Sequence, residues 1–278
     1  MLSITILTEN QVRKRGLLAE HGLSLWIENR NSRILFDAGQ TDVYLKNAAK
    51  LGIDLNLAQS IVMSHGHYDH GGGLAWYPLE HRRPRVFAHP DAFLPKFAVS
   101  NNPEDQHRPI GLPWRPDQIN HLSDLLTYNR STMQIGDNLF LCNGIPAVTD
   151  FEPLSGNYLI EKNEQLMPDV MHDEQVLVCT CDQGLAVVLG CSHPGVVNCL
   201  KFVRLFFSEI PIRAVIGGMH LEQADPHRLQ MTIDYFREQD IQKIVPLHCT
   251  GQHAVWTMKQ VLGDRVITAC TGDKIVFE

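Results

Sequence analysis

The stretch Ser64 to Leu74, SHGHYDHGGGL, constrains this 278-residue chain more than any other. Three histidines and an aspartate fall within six residues, and three glycines follow at once. His65 and His67 stand two apart, directly after the apolar run SIVM. In extended backbone such side chains share a face, so both can reach one metal ion. Asp69 and His70 follow where the chain turns into the glycines, and that turn can aim them at a second ion. The glycines remove side chains where backbone must pass close to the ions or to a helix. The full HxHxDH pattern arises in roughly 2 of 1,000 random chains of this composition, which sets aside a coincidental polar loop. Fourteen histidines, about one residue in twenty, agree with a metal-binding role.

The segments around the motif read β-rich, then α/β, twice over. SITILTEN alternates apolar and polar residues, and LSLWIENRNSRILFDAG turns as a hairpin at NRNS. TDVYLKNAAKLGIDL reads as a helix, with Thr41 or Asp42 as N-cap and Gly52 near the C-cap. SIVMSH and PRVFAHP are short strands, and the first delivers the motif at its C-terminal end. Further on, TMQIGDNLFLCNG is β, and QVLVCTCDQGLAVVLG is a hairpin turning at Asp182 to Gly184. GVVNCLKFVRLFFSE, DPHRLQMTIDYFREQ and GQHAVWTMKQVLG read as helices that alternate with the strands IRAVIGG and IQKIVPLH. RVITAC and DKIVFE close the chain as strands. The pattern predicts two sheets with helices outside them. Between 90 and 127, six prolines break any period, so a structureless functional insertion or lid is expected there.

HxHxDH after a strand, preceded by ILFDAG (Ile34 to Gly39), resembles the metallo-β-lactamase fold superfamily of metallohydrolases. The element order agrees over nearly the whole chain. The resemblance implies one α/β domain over residues 1–278, an αββα sandwich of two mixed β-sheets flanked by helices. It places the metals at one edge between the sheets. DEQVLV, GCSHPGVVN, GGMHL and PLHCTG resemble a narrower subgroup. That subgroup is named either as metal-dependent hydrolases or as the synthase of a dihydropterin-linked ribofuranosylaminobenzene phosphate.

The superfamily adds a third histidine to the first metal, a bridging aspartate after a later strand, and a last histidine for the second metal. His248 in IVPLHCTG resembles that last histidine. Where the family has Gly-Asp, this chain has Gly190-Cys191-Ser192-His193. Cys191 takes the aspartate's register and His193 lies two residues on; His193 is favoured for its reach. His220 in VIGGMH is open to three roles: ligand, proton donor or support for a ligand. The third histidine's usual place holds His172-Asp173-Glu174, and the sequence does not choose among them. Asp37 resembles the family's structural aspartate. The expected metal ligands are therefore His65, His67, Asp69, His70, His193 and His248. Zinc suits them first, with one or two ions, and iron or manganese are the alternatives.

His89 ends a strand at the same edge, but reads as a hydrogen-bonded loop histidine. His21, His81, His107, His121, His227 and His253 read as solvent-facing. Two cations would make water a nucleophile near neutral pH and would polarise a carbonyl or phosphoryl oxygen. Asp69 is the expected catalytic residue, a metal ligand that also orients that water. Lys96, Arg108 and Arg115, set among aromatic residues, suit an anionic or ring-bearing small molecule. The activities expected are hydrolysis of a small phosphoester or acyl substrate, transfer chemistry on a pterin or ribose phosphate, or metal or ligand binding without catalysis. A formal charge of −7 argues against nucleic acid as the main partner. No stretch approaches 18 apolar residues, so no membrane span is expected. MLSITILTEN lacks a basic region before a long apolar run, and no signal peptide is expected. Seven scattered cysteines without a CxxC pair predict a reducing, cytoplasmic setting.

Overall fold

A computed structural model describes residues 1–78, 83–100, 106–115 and 122–277. Its first sheet has seven strands, in the order β17 (Lys274–Phe277), β1 (Leu2–Thr8), β2 (Ser24–Glu28), β3 (Arg33–Phe36), β4 (Ser60–Val62), β5 (Arg85–Ala88) and β8 (Leu126–Tyr128). The second has six, in the order β16 (Lys243–Leu247), β15 (Ile212–Gly218), β14 (Gly184–Leu189), β13 (Gln175–Cys181), β10 (Leu139–Asn143) and β9 (Met133–Gly136). Both are mixed: β3, β4, β5 and β8 run parallel in one, and β14, β15 and β16 in the other.

Strand alternation builds the layers. Ile4, Ile27, Phe36 and Val62 of the first sheet meet Leu177, Val188, Ile216 and Val245 of the second in the central core. Their neighbours Trp26, Leu35, Ile61 and Met63 face the other way, against Tyr44 and Ala48 of helix α1 (Val43–Leu51). A four-residue turn of helix, α2 (Tyr68–Gly71), follows β4. On the far side, Val176, Val178, Val187 and Val215 pack against α3 (Val196–Phe206), α4 (Pro226–Glu238) and α5 (Gln252–Leu262). α5 buries Ala254, Met258 and Leu262, each four residues apart, so a single stripe faces the sheet. The product is an αββα sandwich with three apolar cores, the architecture expected. No helix among the described residues is long and apolar enough to cross a membrane.

Two local readings differ from this structure, and one hairpin in it was not anticipated. RVITAC forms no strand: Val266 makes only an isolated bridge to Ile244, and the segment crosses to β17. The hairpin of β11 (Tyr158–Lys162) and β12 (Gln165–Pro168) carries no sequence expectation. The proline-rich segment is not structureless where it is described. β6 (Lys96–Ala98) and β7 (Arg108–Pro109) join β11 and β12 in a third, four-stranded sheet. Its prolines suit edge and turn positions, where a missing N–H costs no ladder bond. Pro103 and Pro116 lie outside the described residues.

Candidate metal centre

The ends of β4, β14, β15 and β16 open at one edge of the sandwich, and each carries a histidine loop there. Backbone conformation aims these loops. Asp37, Ser192, His220 and His248 all hold left-handed φ values, 55°, 60°, 48° and 50°. Such strain in non-glycine residues gathers at functional sites, where surrounding structure holds it in place. Glycines do the other half. A Cβ on Gly66, between His65 and His67, would sit 2.1 Å from the Ala92 carbonyl oxygen. One on Gly73 would sit 2.0 Å from that of Ala38.

The side chains form two adjoining groups. In the first, His67 Nδ1 lies 3.0 Å from His65 Nε2 and 3.1 Å from His193 Nε2. In the second, His248 Nε2 lies 3.3 Å from both Asp69 Oδ2 and His70 Nε2, with His70 Nε2 and Asp69 Oδ2 4.0 Å apart. Ligand atoms about 2.1 Å from one tetrahedral ion stand roughly 3.4 Å apart, so both groups are within a few tenths of an ångström of closing on a cation. Three imidazole nitrogens converging in a buried space cannot all be satisfied by shared protons; a cation satisfies them together. The donor set therefore fits metal. Cys191 Sγ stands where the groups meet, 3.1 Å from His70 Nε2 and close to both His65 and His193.

The electrostatics agree. Burial and the neighbouring histidines hold His65 and His193 well below the ordinary range, and burial lowers His67 to about 3, so all three stay neutral. Neutral imidazole is the form that binds a metal. Burial would raise Asp69, but His70, His21 and His248 outweigh it and keep the carboxyl well below its usual range. Burial lifts the Cys191 thiol well above its usual value; a thiolate there would need a cation beside it. Asp37 is fully buried behind the site. It accepts from the Ser64 amide and hydroxyl and binds His70 Nδ1, each at 2.7 Å. That contact leaves His70 Nε2 free to face the cluster.

All six sequence-expected ligands are brought together. His193 falls in with His65 and His67. His172 is exposed and stands apart from both groups, while Asp173 and Glu174 are buried behind them. Burial pushes Glu174 up to about 8, against two backbone N–H donors that favour its charge. His89 accepts from the Asp91 amide, as a loop histidine. His227 and His253 are exposed, and His107 is half-buried against Ser100. His81 and His121 lie outside the described residues.

Two residues at the site were not foreseen. His21 is exposed, yet its Nε2 lies 3.2 Å from Asp69 Oδ2 and its ring 5.0 Å from that of His248. Tyr158 of β11 places its ring 5.7 Å from His67 and 5.3 Å from His193. Lys96 corrects the expectation of an anion-facing cation: it is buried, and its ammonium binds Asp169 and Asp173. A cavity of about 540 Å³ opens over both groups, and Arg108, Tyr158 and Arg228 help to line it.

The chain has relatives among known proteins. Residues 18–132 match the family model of the metallo-beta-lactamase superfamily. An uncharacterized protein of Methanocaldococcus jannaschii is 32% identical, over 93% of this chain and 94% of its own. From the same organism, 7,8-dihydropterin-6-methyl-4-(beta-D-ribofuranosyl)-aminobenzene-5'-phosphate synthase is 33% identical, over 84% of this chain and 82% of its own. A crystal structure of a metal-dependent hydrolase of the beta-lactamase superfamily superposes with a TM-score of 0.85. It is 31% identical and covers 100% of this chain and 99% of the other.

Proposed function

Because the chain belongs to the metallo-beta-lactamase superfamily, we propose that it is a metal-dependent hydrolase of a small, anionic phosphoester or acyl substrate. The observation that carries the reading is the pair of converging ligand groups, His65–His67–His193 and Asp69–His70–His248, beneath one open cavity. Zinc is the metal proposed. When bound, the ions supply an activated water and a Lewis acid for a carbonyl or phosphoryl oxygen. The chain's own residues do the rest. Asp69 would hold one ion, and its carboxylate would orient the attacking water. His21, against the same Asp69 oxygen that His248 approaches, restrains that carboxylate. Tyr158 covers the first group and limits access of bulk water.

The cavity wall supports an anionic substrate. Arg228 lines it, and its Nε and Nη2 are buried without a hydrogen-bond partner. That edge faces protein, so what Arg228 brings to the cavity wall is its positive charge, which suits a phosphate or carboxylate. The seven free cysteines suit a reducing, cytoplasmic setting.

Metal analysis, with a screen of phosphodiester, lactone and thioester substrates, tests the reading. Asp69→Ala should abolish turnover while circular dichroism and melting stay those of a folded chain. A wild-type protein that takes up no metal, or an Asp69→Ala variant with full activity, would refute it. A second reading is favoured by the 33% identity to a pterin-linked synthase. Under it, the methyl carbon of a dihydropterin methyl diphosphate would be bonded to an aminobenzene ribofuranosyl phosphate, its diphosphate leaving as pyrophosphate, and failure to detect either product removes it.

A further inference from the structure

His65 and His67 hang from the first sheet, and His193 hangs from the second. No strand pairing fixes the distance between these loops. Two consecutive buried acids span it instead. Asp173 Oδ2 accepts the amide of Gly66, between the two histidines, at 2.8 Å. Glu174 Oε1 accepts the amide of Ser192 at 3.1 Å, and Oε2 accepts that of His193 at 3.2 Å. The next residue continues the tie, the Gln175 amide donating to the Ser64 carbonyl at 2.9 Å. Behind Asp173, Lys96 Nζ lies 3.0 Å from Oδ1 and also binds Asp169. Lys96 is 1% exposed, and Asp173 and Glu174 are 0% exposed.

Three ionisable groups buried this deeply are costly, and hydrophobic replacements are often no less stable. None of the three lines the cavity over the ligand groups. Substrate contact therefore does not account for them. Their hydrogen bonds do, since each acid ends on the backbone of a different ligand loop. Met171, just upstream, holds φ at 54° and accepts the Glu174 amide, so the bracket itself is fixed.

We propose that Asp173 and Glu174 are positioning residues that set the distance between the His65–His67 loop and His193. Lys96 holds Asp173 in that task. The proposal rests on the metal-site reading above. It gives β6 and β11, the strands around Lys96, a fixed role as a buttress of the first ligand group rather than as a lid. Outer partners of metal ligands typically carry 10–100-fold in metal affinity.

The test is zinc competition against a chromophoric chelator, on the full chain carrying Glu174→Gln, Asp173→Asn, Lys96→Met or Lys96→Arg. The amide of E174Q can accept from only one of the two loop amides and opposes the other. D173N turns an NH2 towards Lys96. The expected result is a loss of about 10–100-fold at one zinc site, with the other site retaining its affinity. K96M should follow D173N, and K96R should recover most of the affinity, because a guanidinium still pairs with both aspartates. Wild-type affinity at both sites in E174Q and D173N overturns the proposal. So does an equal loss at both sites that tracks the melting temperature of the metal-free protein, since that is what a purely structural role produces. Should D173N or K96M fail to fold, E174Q and K96R still decide. A wild-type chain that takes up no zinc refutes the metal reading itself, and is told apart by the stoichiometry measured first.

Discussion

Asp37→Asn should separate the two ligand groups from each other. Asp37 Oδ2 receives both the Ser64 hydroxyl and His70 Nδ1, while Oδ1 receives the Ser64 amide. An asparagine has one acceptor oxygen and two ways to place it. With the oxygen at the Oδ2 position, His70 is still served, but the new NH2 opposes the buried Ser64 amide. That orientation forfeits one hydrogen bond to a charged acceptor, about 1.5–3 kcal/mol. With the oxygen at the Oδ1 position, the Ser64 amide is kept and the NH2 faces His70 Nδ1. His70 then moves its proton to Nε2, which costs little in the metal-free protein. It removes the lone pair that faces Asp69 and His248. Metal-free stability should therefore fall by at most about 3 kcal/mol in urea unfolding. Zinc affinity at the Asp69–His70–His248 site should fall about 10–100-fold, as it does when such supporting carboxylates are lost. The His65–His67–His193 site should lose less, because its link to Asp37 is indirect: His65 Nδ1 lies 2.9 Å from the Ser64 hydroxyl, which in turn donates to Asp37. A two-step chelator competition reads both. Equal loss at both sites, or none at the second, would refute the assignment of Asp37 to His70.

Two further outcomes follow from contacts already described. Gly66→Ala places a Cβ 2.1 Å from the Ala92 carbonyl, so backbone must move; a loss of about 1–3 kcal/mol in unfolding free energy is expected, and an unchanged melting temperature would show that the loop is not tightly held. Arg228→Gln should raise KM at least tenfold for a substrate bearing a distal phosphate, with much less effect on a neutral analogue; equal effects on both would show that the guanidinium does not read charge.

The parts legible in the sequence are those whose signal is local. His65, His67, Asp69 and His70 lie in one turn with the glycines that permit it, and the α1 boundaries follow from Asp42 and Gly52, the latter left-handed at φ 71°. The third sheet was not legible. Its hairpin turns at Asn163 and Glu164, both left-handed, where a glycine would have marked the turn. Its partner β6 lies about sixty residues away among prolines. Lys96 shows the same limit from the side of charge. A lysine beside aromatic residues reads as a free cation until Asp169 and Asp173, more than seventy residues on, are folded against it. His21 reads as solvent-facing, and it is exposed; only the fold brings its other edge to Asp69.

Gly190-Cys191-Ser192-His193 posed a choice between two side chains, and the folded chain brings both to the cluster. Register favoured Cys191 for the aspartate's place, and reach favoured His193. Both arguments assumed that one of the two serves and the other does not. Ser192 sits between them in the left-handed region, its amide held by Glu174 and its hydroxyl donating to the Gly218 carbonyl at 2.8 Å. That turn lets both flanking side chains face the cluster, with Cys191 where the two groups meet. Cys191 Sγ goes to His70, and His193 Nε2 goes to His67, each at 3.1 Å. The sequence left His172, Asp173 and Glu174 all open for the third histidine's place; His172 is exposed, while Asp173 and Glu174 hydrogen-bond the Gly66 amide and the Ser192 and His193 amides. Were Cys191 to bind an ion as thiolate, its soft sulfur would favour zinc over the harder manganese.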